Sequence, residues 1–388
     1  MNNKIDTLYA DAISLLKELI ATPSFSKEED ETAGILCRFI GERGIQHSRV
    51  GNNVFALNKY YDASKPSVLL NSHHDTVKPN KGYTFDPFSP FEKDGRLFGL
   101  GSNDAGGCLV SLLATFLYFY DKEGMNHNVV FAASAEEEIS GVNGIELVLP
   151  YLGKLDYGIV GEPTKLEMAV AERGLMVIDC TAEGKSGHAA RNEGENALYK
   201  AVEDIAWLRS YKFEKVSPLL GESRLTATVI NTENVQHNVV PSQCKFVIDV
   251  RVNELYTFEE ILDLLKNNLK SKFKPRTTRM RSTSIPLDHL LVKAGINLGR
   301  GYFGSPTTSD KALMPFATLK MGPGDSARSH TPDEFIYLDE IKDENDQVMH
   351  VVQSAVRFCL LIICNILRNE ALAIRFEILN GFFISTLQ

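Results

Sequence analysis

Three short apolar runs constrain this chain more than any other feature: Ser67-Val68-Leu69-Leu70, Val129-Val130-Phe131-Ala132-Ala133 and Tyr157-Gly158-Ile159-Val160, each closed by polar residues. Runs this short and continuous read as strands buried on both faces. Cys108 to Tyr120, between the first two, reads as a helix. Ahead of them, Leu8, Leu15, Leu16, Leu19 and Ile20 share one side of a helix over Thr7 to Ile20. Ile35, Leu36, Phe39 and Ile40 repeat that spacing over Glu28 to Ile40. Helix and strand alternate, so this part of the chain is α/β.

The character changes near Gly174. Leu175 to Thr181 and Cys244 to Val252 read as longer, alternating strands, as in a sheet with one covered face, and Asn196 to Leu208 and Phe258 to Leu269 as helices. The basic, polar stretch Lys270 to Ser284 reads as the exit from a smaller α+β domain. Leu287 to Leu298 and Phe316 to Met321 then return to the first pattern. A chain of 388 residues exceeds one ordinary core. The expectation is a discontinuous catalytic domain over 1–173 and 285–388, with a domain over 174–284 inserted into it.

Hydrophobic residues make up 44% and charged residues 23%, the balance of a soluble globular protein. A net charge of -9 argues against nucleic acid as the main partner, because a phosphate backbone demands a dense basic surface. The six cysteines are scattered, with no C-x-x-C pair, so neither a zinc ribbon nor a disulfide scaffold fits. No signal peptide precedes the first helix, and no apolar run is long enough to span a membrane. A cytoplasmic protein is expected.

Five motifs carry chemistry, and four of them follow an apolar strand, where open α/β sheets place their sites. In Ser72-His73-His74-Asp75, His73 and Asp75 share a face, so an imidazole has a carboxylate to orient it; an incidental turn is the alternative. Gly99-Leu100-Gly101-Ser102-Asn103-Asp104 is not a dinucleotide loop, since Asp104 stands where the third glycine should be and would repel a pyrophosphate. Asp104 is either a bridge between cations or a helix cap. Glu136-Glu137-Glu138 is costly beside an apolar strand unless a cation neutralises it; one Glu then binds metal while its neighbour acts as base. The alternative is a solvated helix start. Glu162 precedes Pro163 at a strand end, and His330 lies in a loop between the Gly322-Pro323-Gly324 turn and Pro332. Together these residues supply imidazole and oxygen donors suited to zinc, cobalt or manganese.

The ordered set SHHDTV, GLGSNDAGG, AEEE, VGEPT and GPG…SHTPDE resembles the M20 family of metallopeptidases, within it the acetylornithine deacetylase and succinyl-diaminopimelate desuccinylase group. GKSGHAARNEGENA and QHNVVPSQCKFVIDVR match that group's lid domain. The resemblance implies a zinc-peptidase-like catalytic domain, with a mixed sheet flanked by helices, and an α+β lid that dimerises. It implies two zinc ions, or Co2+ or Mn2+, with His73 and Glu162 on one, Glu138 and His330 on the other, and Asp104 between them. Asp75 would orient His73, and Glu137 would be the general base. His188 would hold the oxyanion, in the partner subunit's site of a homodimer. Asn238, Arg251 and Gly324 would contact substrate; for Arg251 a salt bridge with Asp249 is an equal alternative.

The implied activity is removal of an acyl group from an N-acyl amino acid, acetyl- or succinyl-ornithine or -citrulline in arginine biosynthesis. A di- or tripeptidase and a succinyl-diaminopimelate desuccinylase are the alternatives within this chemistry. A non-catalytic binder of the same fold would have lost Glu137 or a ligand, and all are present. Departures from the group at Val77-Lys78, Leu100-Gly101 and Gly106 bear on substrate rather than metal chemistry. The apolar stretch within Asp343 to Gln388 reads as an added helix pair, a partner surface or an aberrant end of the reading frame; it alone would favour a membrane-anchored scaffold.

Overall fold

The computed structural model of the protein describes residues 2–191 and 193–341. The apolar stretch after Asp343 lies outside the described residues. The chain divides into two compact units: Met1–Val170 with Ile285–Phe303 and the segment from Ser309 onward, and Ala171–Ser284 with Gly304–Thr308.

In the first unit the strands run in the order Ser48–Val50, Asn53–Leu57, Asn128–Ser134, Ser67–His73, Tyr157–Val160, Ala317–Lys320, Met168–Glu172. Pairing is parallel among the four from Asn128–Ser134 to Ala317–Lys320 and antiparallel at both sides of them, which makes the sheet mixed. Every residue of Ser67–His73, Asn128–Ser134 and Tyr157–Val160 is buried, as their unbroken apolar sequence requires. Leu69, Val130 and Val160 pack with Ile145, Val148 and Leu152. The helix Gly107–Phe119 is apolar all round and wholly buried, held between the sheet and the helix Asn2–Ile20. Asn2–Ile20 turns Leu8, Ala12, Leu15, Leu16 and Leu19 inward. The helix Asp30–Gly41 packs on the hairpin formed by the first two strands and carries Asp30 and Glu31 in its first turn, where the helix dipole favours acid.

A smaller sheet in the same unit orders Phe335–Tyr337, Arg96–Phe98 and Phe91–Lys93. Phe335 pairs with Phe98, and the Phe91 and Phe98 rings stack 4.9 Å apart. These three-residue strands are too short to show a period in the sequence. Their consequence is to bring the segment around Glu334 against the loop that begins at Gly99.

The second unit is a four-stranded antiparallel sheet, ordered Arg224–Asn231, Gln243–Val252, Gly174–Glu183, Lys272–Pro275. Met176, Ile178 and Cys180 share one face with Phe246, Ile248 and Val250. The helices Ala197–Ser210 and Phe258–Asn268 cover that face with Ala197, Ala201, Phe258, Ile261 and Leu265. The alternation along both central strands is thus the period of a sheet covered on one side. Asn196 caps the first helix, accepting from the Leu198 N–H at 2.9 Å. Thr257 and Glu260 form a reciprocal capping box on the second. Such caps contribute about 1 kcal/mol each. The basic stretch Lys270 to Arg281 includes the edge strand Lys272–Pro275, and among its six cations Lys270 pairs with Glu203, Lys272 with Glu183, Arg276 with Asp179 and Arg281 with Glu259. Among the described residues no disulfide joins Cys37, Cys108, Cys180 or Cys244. No helix among the described residues is long and apolar enough to cross a membrane.

Candidate metal centre

Four adjacent parallel strands end on one edge of the first unit's sheet. His73 is the last residue of its strand. Glu137 and Glu138 follow Asn128–Ser134, Glu162 follows Tyr157–Val160, and the turn leading to His330 follows Ala317–Lys320. Asp104 comes from the loop that precedes the buried helix Gly107–Phe119. Gly101 there has φ +76°, which only glycine adopts without cost.

The carboxylate of Asp104 is shared. Its Oδ1 lies 3.5 Å from His73 Nε2 and its Oδ2 3.6 Å from His330 Nε2. Glu162 Oε1 and Glu137 Oε2 stand 3.8 and 4.0 Å from the same His73 nitrogen. Glu138 Oε2 is 2.9 Å from His330 Nε2. Donor atoms of His73, Asp104 and Glu138, and of His73, Glu137 and Glu162, each fall within 4.8 Å of one another.

His73 Nδ1 is 3.0 Å from the main-chain oxygen of Asp75, which can only accept, so this nitrogen carries a proton and donates, and Nε2 is the nitrogen that faces the cluster. The Asp75 carboxylate, 3.5 Å from the ring, is occupied elsewhere. It accepts from the main-chain N–H groups of Glu137 and Glu138 at 3.0 and 3.2 Å and from the Ser26 hydroxyl at 2.7 Å. Asp75 thus holds the acidic loop as well as lying beside the histidine. Glu136 has turned away: its φ is +54°, and its carboxylate accepts from the Asn143 side chain at 2.9 Å. A Cβ at Gly141 would collide with that carboxylate. Of the three consecutive acids, Glu137 and Glu138 therefore face the cluster.

Burial first, and then neighbouring acids, push Glu162 up to about 8 against the opposing pull of Lys320. Burial likewise holds Glu137 well above the usual carboxylate range, with Glu162, Asp310 and Glu138 adding to it. Desolvation opposes charge on His73, yet Asp104 and Asp75 hold the ring well above its usual value. Glu138 raises His330 to about 9. Four crowded carboxylates around two imidazoles are unfavourable by themselves and form a donor set suited to divalent cations; the residues fit such ions.

Several residues support this centre in ways that the sequence pattern does not show. Glu334 Oε1 accepts from the main-chain N–H groups of Asn103 and Asp104, both at 2.9 Å. Ser134 Oγ donates to Asp310 at 2.6 Å and accepts from Asn71 at 3.0 Å. Glu29 accepts from the Glu136 N–H at 3.1 Å. Gly324 has φ +86°, and a Cβ there would lie 2.5 Å from Asn103 Oδ1, so its glycine is a requirement of packing.

In the second unit His188 is exposed, its Nδ1 accepting from the Ala190 N–H at 3.2 Å. Gly187–His188 pairs with Val239–Val240, and the oxygen of Asn238 accepts from the Ala189 N–H at 3.0 Å, so His188 and Asn238 are neighbours. Arg251 makes a two-pronged bond to Asp249, at 2.9 and 3.1 Å.

The family described as Peptidase family M20/M25/M40 matches residues 69–353. A protein named succinyl-diaminopimelate desuccinylase 2, from Ruegeria sp., is 26% identical over 67% of this chain and 70% of its own length. A protein named acetylornithine deacetylase, from Proteus mirabilis, is 26% identical over 93% of this chain and 99% of its own. The crystal structure of a tripeptidase from Staphylococcus aureus superposes with a TM-score of 0.72, covering 92% of this chain and 98% of its own, at 18% identity, a likeness of fold. With matching family residues spanning most of the chain and acids and imidazoles gathered at the sheet edge, the protein belongs to peptidase family M20/M25/M40 and is a metal-dependent hydrolase of amide bonds.

Proposed function

We propose that the chain holds two cations, zinc or else cobalt or manganese, and removes the acyl group from a small N-acyl amino acid. The observation that carries this is the division of the Asp104 carboxylate between His73 and His330. His73 and Glu162 would hold one ion, Glu138 and His330 the other, with Asp104 common to both. Bound cations would supply an activated water and polarise the scissile carbonyl. Glu137, its main chain fixed by Asp75, is the general base: its carboxylate takes a proton from the attacking water and passes it to the leaving amine nitrogen as the C–N bond breaks. Asp75 fixes the loop that carries both Glu137 and Glu138.

His188, in the second unit, would stabilise the oxyanion in a partner subunit's site, making the unit a lid and the protein a homodimer in the cytoplasm. Asn238, Arg251 and Gly324 would meet the substrate; Arg251 would have to share itself with Asp249. Acetyl- or succinyl-ornithine or -citrulline, in arginine biosynthesis, is the preferred substrate class, supported by the near full-length alignment with the deacetylase-named relative. Succinyl-diaminopimelate is a second reading, supported by the desuccinylase-named relatives.

The test is amide hydrolysis by metal-loaded protein on N-acetyl- and N-succinyl-ornithine, the matching citrullines, succinyl-diaminopimelate and dipeptides. Turnover of one acyl-ornithine or -citrulline, lost on chelation and in Glu137→Ala, is expected. Turnover confined to succinyl-diaminopimelate moves the protein to the second reading. Turnover of dipeptides alone, or of nothing by folded, metal-loaded protein, would overturn the deacylase reading.

A further inference from the structure

Glu334 is 1% exposed and contributes no donor atom to the cluster. The pairing of Phe335 with Phe98, extended by a 3.0 Å bond from the Gly99 N–H to the Glu334 oxygen, lays it alongside the loop that carries Asp104. There a single side-chain oxygen, Oε1, receives two consecutive main-chain N–H groups, those of Asn103 and Asp104. Two donors converging on one acceptor set the peptide planes on either side of Asn103. They thereby set the direction in which the Asp104 side chain leaves the backbone. His330, on the same short loop as Glu334, lies 3.6 Å from the other oxygen of the Asp104 carboxylate. One segment thus meets Asp104 twice, at its carboxylate and at its main chain.

We infer that Glu334 is a positioning residue that aims the shared carboxylate of Asp104 at both cations, so that the loop bringing His330 as a ligand also brings the clamp on its neighbour. This rests on the two-cation reading above. The clamp acts through the location of its acceptor oxygen. Removing it weakens both ions together, because Asp104 serves both, whereas removing His330 weakens one.

The experiment is equilibrium dialysis of the full-length, metal-free chain against Co2+, reading ions per subunit, affinity and the cobalt absorption spectrum. Glu334→Gln keeps an oxygen at the Oε1 position and removes the charge. Glu334→Asp keeps the charge and withdraws the acceptor by about 1.5 Å, one C–C bond. Losing an outer support of metal ligands costs about 10–100-fold in affinity. Wild type and Glu334→Gln are expected to bind two ions alike, while Glu334→Asp and Glu334→Ala bind both at least about tenfold more weakly, with an altered spectrum. His330→Ala is expected to lose one ion only. Wild-type affinity in Glu334→Asp, equal weakening in Glu334→Gln and Glu334→Asp, or loss of a single ion would overturn the clamp. Should Glu334→Ala fail to fold, the order of the Gln and Asp variants decides. Failure of the wild type itself to take up two ions would overturn the two-cation reading instead, and the clamp with it.

Discussion

Glu138 and His330 stand 192 residues apart in sequence, yet their side chains meet at 2.9 Å. Without a cation this contact is an ion pair: Glu138 raises the imidazole to about 9. A group raised in this way contributes stability fully below its unfolded value, near 6.5, and that contribution is lost as pH rises through about 9. The same proton must leave before the imidazole can ligate a metal. Metal uptake by metal-free protein at pH 7–8 is therefore expected to release protons. Calorimetric titration in two buffers of different ionisation enthalpy reads this directly; no buffer dependence of the binding heat would contradict it.

Glu137→Gln should keep the shape of the site and remove the base. A positioned general base is worth about 10²–10⁴ in rate. We expect kcat to fall by about that much, with bound metal and KM little changed. Steady-state kinetics beside metal analysis checks it, and a loss of metal equal to the loss of activity would reassign Glu137 as a ligand.

Asp75→Ala leaves two main-chain N–H groups of the acidic loop without their acceptor, in a buried setting. Each such loss costs about 1–3 kcal/mol. The variant is expected to unfold at lower denaturant concentration and to bind metal more weakly, because Glu138 is released along with Glu137. Urea unfolding and metal titration measure the two effects; unchanged metal affinity would show that the loop needs no anchor.

His188 offers a test of assembly. If it serves a partner's site, mixing Glu137→Gln with His188→Ala subunits restores one complete site per mixed dimer. Random exchange would then recover about a quarter of wild-type activity from two inactive proteins. No recovery, with subunit exchange confirmed, would remove His188 from that role.

Much of the centre is legible in the sequence because its framework is. Apolar runs of four or five residues are too short for a buried helix such as Gly107–Phe119 and read as buried strands, and the polar residues that close them, His73, Glu137, Glu138 and Glu162, then gather where parallel strands end. Asp104 announces itself by replacing a glycine in a glycine-rich turn. Which of three consecutive glutamates turns away is not legible: it depends on a left-handed residue at Glu136 and on Asn143, in the loop that follows. Ser26 gives no signal either, since a single polar residue in a turn has no period. Although Glu334 ends the SHTPDE motif, nothing in the sequence tells that it meets the main chain of Asn103 and Asp104, far off in the chain. The strand Arg224–Asn231 is hidden for a related reason. It is a sheet edge whose last four residues are all exposed, and over the first half burial only alternates between exposed and half-buried, which is too weak to set an apolar pattern.

The most direct test of the whole account is the number of ions that depend on Asp104. Metal-free wild type titrated with Co2+ should bind two ions per subunit and show magnetic coupling between them by electron paramagnetic resonance. Asp104→Ala, folded by circular dichroism, should lose high affinity for both ions and all coupling. Two ions retained at wild-type affinity in Asp104→Ala, or a single uncoupled ion in the wild type, would contradict the shared carboxylate on which the proposed chemistry stands.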